Sequence, residues 1–252
     1  MRIAVQTFCL PKAGNADAEN EDAFWPHDDA EFDLPRVLRT AVADGATETL
    51  FSGLWAGQLA RAYCEAPSHR DFLGGLPRLR ADWQQEIGSR PLPWYAEEKA
   101  RAGAYATLLG VTLKTGHARD VAYYQALAIG DSCLFHLRDG RLLRAFPLTR
   151  AAHFNNSPYL LSANPNRNAD LSDHLHAFYH RAAAGDSLLL LTDALAQWFL
   201  YTLEADPKLS DPLRDVTSLE AFAELVGAER EAHRLRNDDT TLLRLTLTRS
   251  GG

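Results

Sequence analysis

Acidic residues stand at four separated places in this chain, each where a strand-like run begins or ends: Glu21-Asp22, Asp44-Gly45, Asp193 and Asp238. A fold for this sequence must either scatter these carboxylates over its surface or gather them at one end of its strands. Gathering is costly without counter-charge, because like charges a few ångströms apart raise one another's pKa, so a gathered set implies cations. Taken singly, an Asp-Gly pair is a turn and an Asp at a strand end is a cap or a solvated charge. The set, not any one member, points to chemistry.

The chain has a core large enough to support such a pocket. Its 252 residues are 46% hydrophobic and 10% aromatic, the composition of an ordinary globule, and no repeat, low-complexity tract or linker divides them. A single domain over residues 1–252 is therefore expected. The formal charge of −7 argues against nucleic acid as the main partner. The N-terminus lacks a basic stretch followed by an apolar core, and no run of about 18 apolar residues occurs, so a cytoplasmic protein without membrane association is expected. Cys9, Cys64 and Cys133 show no CxxC spacing, which favours small buried apolar roles over disulfides or thiolate zinc.

Hydrophobic spacing gives the elements. Val37 to Ala43 suits a buried strand ending in the Asp44-Gly45 turn. Trp55, Leu59, Ala62 and Tyr63 recur at helical spacing over 52–65, with Ser52 as cap, Pro67 as stop and Trp55 as a core anchor. Phe72 to Ile87 and Trp94 to Arg101 read as helices separated by two prolines. Strands are expected over 106–114, 121–129, 134–138 and 142–146, the last two joined by a hairpin at Asp139-Gly140. Residues 147–173 are rich in Asn, Ser and Pro and read as a surface loop that could border a site. Strands follow over 175–181 and 187–192, the second a Leu run buried on both faces, then helices over 194–204 and 219–226, the latter ended by Gly227, and a final strand over 240–248.

Oxygen-only ligands select Mg2+ or Mn2+ over zinc, which favours His and Cys. Two such ions about 3.5–4 Å apart can hold a water between them, lower its pKa and aim it at phosphorus, so phosphate-ester hydrolysis is the natural reaction of such a pocket.

Six short motifs then follow in order: Asn20-Glu21-Asp22; Val42-Ala43-Asp44-Gly45; Gly103-Ala104-Tyr105-Ala106-Thr107-Leu108; Ile129-Gly130-Asp131-Ser132; Gly185-Asp186 with Leu190-Leu191-Thr192-Asp193; and Asp238-Asp239-Thr240-Thr241. In that order, over nearly the whole chain, they resemble the metal-dependent protein phosphatase 2C family of serine/threonine phosphatases. The resemblance implies an α+β fold, a four-layer α-β-β-α sandwich of two stacked antiparallel sheets flanked by helices. It also implies two Mn2+ or Mg2+ ions at one end, a weaker third, and hydrolysis of phosphoserine or phosphothreonine esters by a water bridging the metals. By motif, Asp44 would bridge both ions, Glu21 and the Gly45 carbonyl would serve one, and Asp193 and Asp238 the other. Asp22 would hold metal-bound water, and Asp131 would share the third ion with Asp193. Asp44 and Asp193 would thus be the catalytic pair, acting through the bound water. A phosphorylated protein substrate, a partner kinase and a monomeric state complete the expectation.

The departures are specific. The family's phosphate-binding arginine, three residues before the Asn-Glu-Asp motif, is replaced by Asp17, and Lys12 or Arg2 is the cation nearby in the chain that could substitute. Ala46-Thr47-Glu48 replaces the glycines and nearby histidine common after Asp-Gly, and Ala194 stands where glycine follows the metal-binding Asp. Two rival readings remain: a zinc site on one strand face at His174, His176 and His180, and a catalytically weak or inactive module that binds a phosphoprotein or regulator. No GxSxG, GxxxxGK[ST] or HExxH motif supports another hydrolase or nucleotide class.

Overall fold

The computed structural model of the chain describes residues 1–249 apart from 28, 35, 117–119, 156 and 207–210. The chain opens with strands β1 (Arg2–Leu10), β2 (Asp22–Trp25), β3 (Ala30–Asp33) and β4 (Val37–Asp44), then helices α1 (Ser52–Glu65), α2 (His69–Gly88) and α3 (Trp94–Ala102). Next come β5 (Tyr105–Ala106), β6 (Leu108–Thr115), β7 (Val121–Ile129), β8 (Cys133–Arg138), β9 (Arg141–Phe146), β10 (Leu161–Ser162), β11 (His176–Ala183) and β12 (Asp186–Leu191). Helices α4 (Asp193–Ala205) and α5 (Leu219–Glu231) and strand β13 (Thr240–Thr248) close the chain.

Two large antiparallel sheets result, ordered β3-β1-β13-β12-β8-β9 and β11-β7-β6-β4-β2, with a small β10-β5 pair beside them. Three buried clusters mark the layers. Ile3, Val5, Leu188, Leu190, Leu243 and Leu245 of the first sheet meet Val42, Leu109, Val111 and Tyr124 of the second. On the outer face of the second sheet, Ala41, Ala43, Leu108 and Ile129 pack against Trp55, Leu59 and Tyr63 of α1 and Phe72 and Trp83 of α2. On the outer face of the first, Phe8, Phe135, Leu189 and Leu191 pack against Leu195 and Phe199 of α4 and Phe222 of α5. The order is helix, sheet, sheet, helix, as the family resemblance implies.

The Leu run of β12 illustrates the sequence logic. Alternate side chains leave a strand on opposite faces, so Leu188 and Leu190 enter the layer between sheets while Leu189 and Leu191 enter the layer under α4. Trp55 is fully buried, and its indole N–H donates to the Leu161 carbonyl at 2.9 Å. The hairpin forms at Asp139-Gly140, where both residues take positive φ (51° and 76°), the conformation a two-residue turn with the native twist requires. At Gly110 an added Cβ would lie 2.3 Å from the Tyr63 ring, so that strand position admits only glycine.

Several expectations need correction. Three N-terminal strands, β1 to β3, precede the first strand anticipated in detail. Ser52 does not cap α1; Phe51 takes the cap position at φ 62°, and the Ser52 hydroxyl turns toward Glu21. The run over 106–114 breaks at Thr107 into β5 and β6 because the Thr107 hydroxyl accepts the Asp44 N–H at 3.0 Å. Helix α5 passes through Gly227 to Glu231, since a helical glycine costs only about 1 kcal/mol relative to alanine. His174 belongs to a 3-10 turn before β11 and stacks on Tyr159 at 3.8 Å, so it does not share a strand face with His176 and His180. The segment over 147–173 is largely irregular with short 3-10 turns, but it is not all surface, since β10 pairs with β5 and Leu161, Ser162 and Ala163 are fully buried; Asn156 within it lies outside the described residues. Among the described residues, no helix is long and apolar enough to cross a membrane.

Candidate metal and phosphate site

Antiparallel pairing decides which strand ends share a neighbourhood. Leu10 of β1 pairs with Thr240 of β13, Leu191 of β12 with Leu242, Asp22 of β2 with Asp44 of β4, and Leu108 of β6 with Ile129 of β7. The acidic positions that follow or begin those strands therefore converge on one end of the sandwich. An open cleft of about 470 Å3 lies there, lined by Asp44, Gly45, Asp131, Asp193, Asp238 and Arg236, with Thr47 and Glu48 on one side and Ser157 and Leu160 on another.

Each carboxylate is held by its own local chemistry. Asp22 reaches from one sheet to the other, where its Oδ2 accepts the hydroxyls of Thr192 at 2.9 Å and Thr241 at 2.7 Å. Its Oδ1 is buried without a hydrogen-bond partner, as is Oδ1 of Asp131. Burial pushes the Asp22 carboxyl well above the usual range; the two hydroxyls oppose the shift and the charges of Asp239 and Asp193 add to it. Asp44 is raised by burial, then by Asp22, Asp193, Asp131 and Asp238. Asp131 is pushed up to about 7, by burial first and by Asp193 next. Burial and Asp193 also raise Asp238. In each case burial is the largest cause and neighbouring carboxylates add to it, as expected where several acids are gathered away from solvent.

Gly45 and Asp239 fix the geometry. The Gly45 N–H donates to the Glu21 carbonyl at 3.1 Å, and a Cβ there would come within 2.8 Å of that oxygen, so a side chain is excluded. Asp239 accepts the N–H groups of Lys12 at 2.8 Å and Glu21 at 2.7 Å, which commits both its oxygens to tying the N-terminal loop to β13. Asp238, its neighbour, faces the cleft instead. Ala194 is accommodated: it is buried in the first turn of α4, and its N–H donates to the Asp193 side chain.

The nearby cysteine and cations resolve differently from expectation. Cys9 is only partly buried, its Sγ 3.0 Å from the Thr241 hydroxyl, and burial pushes its thiol up to about 12, which makes it a poor nucleophile. Cys64 is likewise partly exposed, and Cys133 is buried as expected. Arg2 is excluded as a phosphate ligand, because it pairs with Thr248 at the opposite end of β1 and bonds Glu31 at 3.2 Å. Lys12 does approach the site, with its Nζ 4.0 Å from Glu21 Oε2 and 3.4 Å from the Thr47 hydroxyl.

Arg236 is the residue that sequence reasoning passed over. Its guanidinium bonds Asp193 Oδ2 and lies 3.1 Å from Asp238 Oδ2. The only sequence signal was its position two residues before Asp238, which says nothing about where its side chain goes.

No protein-family model and no curated protein matches the chain. Solved structures do. PppA of Pseudomonas aeruginosa, a key regulatory component of T6SS, is 20% identical with a TM-score of 0.57, covering 97% of each chain. The Mycobacterium tuberculosis serine/threonine phosphatase PstP is 18% identical with a TM-score of 0.54, covering 98% of this chain and 100% of that one. The catalytic domain of PstP in complex with two manganese ions is 14% identical with a TM-score of 0.56, covering 98% and 99%. The chain has the protein phosphatase 2C fold.

The oxygen donors gathered at the acidic end of the sandwich make it the place to test for divalent cations. Among the described residues, no three carboxylate, imidazole or thiol groups stand as a ready-made set for one ion. Around these carboxylates, Arg236 engages Asp193 and Asp238, while the Ser52 hydroxyl and Lys12 engage Glu21. The donor set nevertheless fits. It is all oxygen and it includes two buried carboxylate oxygens without partners, and burial, with neighbouring charges, raises Asp22 and Asp44.

Proposed function

We propose that the protein is a Mn2+- or Mg2+-dependent phosphatase that hydrolyses phosphoserine or phosphothreonine esters of a cytoplasmic phosphoprotein, with a partner kinase as the source of that phosphate. The observation that carries this reading is the group of carboxylates lining the cleft, Asp44, Asp131, Asp193 and Asp238, with Asp131 Oδ1 buried and unpaired, and with Asp22, the strand partner of Asp44 behind them, carrying a second unpaired buried oxygen.

Glu21, Asp44 and the Gly45 carbonyl would hold one ion and Asp44, Asp193 and Asp238 the other, with Asp131 and Asp193 offering a weaker third position. Two ions so held supply Lewis acidity at the phosphoryl oxygens and lower the pKa of a water. The chain's own residues do the rest. Asp22, fixed by Thr192 and Thr241, keeps one buried oxygen without a partner, which would accept a hydrogen bond from water. Gly45, closed against Glu21 and the start of α1, fixes the backbone at the metal end of the cleft. Ser157 and Leu160, from the irregular segment, border the opening where a substrate chain would lie.

The test is phosphate release from a phosphothreonine peptide and an aryl phosphate, with Mn2+, with Mg2+ and with chelator, for the wild type and Asp193→Asn. Metal-dependent release, lost in the variant, is expected. The binding-module reading is favoured by one observation, the pairing of Arg236 with two of the candidate ligands. It predicts that a phosphoprotein partner stays bound when Asp44 and Asp193 are both neutralised and that no phosphate is released under any metal condition.

A further inference from the structure

We propose that Arg236 binds the substrate phosphate, and that Asp193 and Asp238 hold its guanidinium at the cleft until divalent cations take those two carboxylates. The proposal rests on the phosphatase reading and deepens it by naming the group that recognises the phosphoryl oxygens.

The geometry isolates Arg236 for this role. It lines the cleft together with Asp44, Asp131, Asp193 and Asp238. Its side chain is 40% exposed, so the guanidinium is reachable from solvent while resting on the carboxylates. Its backbone, by contrast, is pinned on both sides. Leu235 is buried in the layer under α4, and Asn237 accepts the Ala13 N–H at 2.7 Å. A Cα fixed by its neighbours with a half-solvated head is the arrangement of a side chain that can exchange partners without moving the chain.

Competing cations are already committed or remote. Residue 17 is an aspartate in an exposed 3-10 turn, and Arg2 lies at the far end of β1. Lys12 sits between Glu21 and Thr47 and presents a single ammonium rather than a planar fork. Guanidinium matches a phosphoryl group with two parallel charge-assisted bonds, the geometry a phosphoester in this cleft would require.

Charge then couples the two events. While the metals are absent, Arg236 is the positive charge that partly neutralises Asp193 and Asp238. Once divalent cations occupy those oxygens, the guanidinium loses its acceptors and is repelled by the ions, and a phosphate dianion in the cleft becomes its best available partner. One residue therefore acts against metal binding and in favour of phosphate binding, and a substitution should move the two affinities in opposite directions. A residue with a merely structural role would weaken both.

The experiment measures Mn2+ binding and then inorganic phosphate binding to the Mn2+-saturated protein by calorimetry, for the wild type, Arg236→Gln, Arg236→Lys and Lys12→Ala. Thermal melts verify that each is folded. Arg236→Gln is expected to bind Mn2+ several-fold more tightly and phosphate about tenfold or more weakly, with KM for an aryl phosphate rising more than kcat falls. Arg236→Lys, which keeps the charge and loses the fork, should recover part of the phosphate affinity, and Lys12→Ala should leave it near the wild-type value. Unchanged phosphate affinity in Arg236→Gln, or a loss confined to Lys12→Ala, would overturn the proposal while leaving the phosphatase reading intact. Weaker Mn2+ binding in Arg236→Gln would overturn the exchange. Absence of Mn2+ binding by the wild type would remove the phosphatase reading, and this inference with it.

Discussion

Asp44→Asn is expected to lower metal-dependent phosphate release by a factor of about 10^3 or more while raising the melting temperature of the metal-free protein. The two effects have one origin. Asp44 is a carboxylate on which burial and the charges of Asp22, Asp193, Asp131 and Asp238 converge, so a negative charge there is needed by cations and unwelcome without them. Asparagine keeps the shape, and the backbone bonds of Asp44 with Thr107 do not depend on the carboxylate. Removing one like charge from such a set is expected to stabilise the metal-free fold by about 1–3 kcal/mol. Paired hydrolysis assays and melts in chelator check both halves. A variant that melts lower than the wild type in chelator and retains turnover would contradict the assignment of Asp44 as the shared ligand.

The second large effect is a pH dependence that metal should erase. In the folded protein Asp131 holds its proton up to about 7, whereas an aspartate in the unfolded chain releases it near 4. Between those values the folded state binds the extra proton, so stability falls as pH rises through the window, by up to about 4 kcal/mol for this residue. Two histidines, the half-buried His69 and the buried His136, act with the opposite sign. Burial lowers His69 to about 4 and also lowers His136, which lies between Tyr124 and Asp186, so their contribution to stability grows as pH rises toward 6.5. The clean observable is therefore the difference between Asp131→Asn and the wild type in chelator. That difference should be small at pH 4, grow with pH and level off above about 7, and shrink when Mn2+ is added at about 100 times its Kd, which itself stabilises by about 2.7 kcal/mol per site. A difference that does not vary with pH would mean Asp131 ionises freely.

How much of this was legible in the sequence depends on whether the signal was local. The Asp139-Gly140 turn, the Leu run of β12 and the helical spacing around Trp55 are local, and the structure has each where expected; β4 also ends at Asp44, but Gly45 bridges to Ala106 and the chain turns only at Thr47-Glu48. Strand β1 was not legible in the same way because its apolar residues change face: Ile3 and Val5 enter the layer between sheets, while Phe8 enters the layer under α5. That shift breaks the period of two on which strand recognition rests. Ser52 has the chemistry of a cap, yet the Glu21 carboxylate, 31 residues away, captures its hydroxyl. The carboxylates could be listed from their motifs, but the pairing of β1 with β13 and β2 with β4 is what brings them to one cleft. Arg236 carried no motif at all; its meaning comes from two acceptors supplied by the end of β12 and the approach to β13.

The most direct measurement of the central claim is a Mn2+ titration of the metal-free protein in which bound ions per chain and phosphate release from a phosphothreonine peptide are followed together. Two tight equivalents are expected, with turnover rising as they fill and reversed by chelator. Less than one ion bound at saturation, or release of phosphate that does not follow occupancy, would contradict the assignment of this acidic cleft as a metal-dependent phosphatase centre.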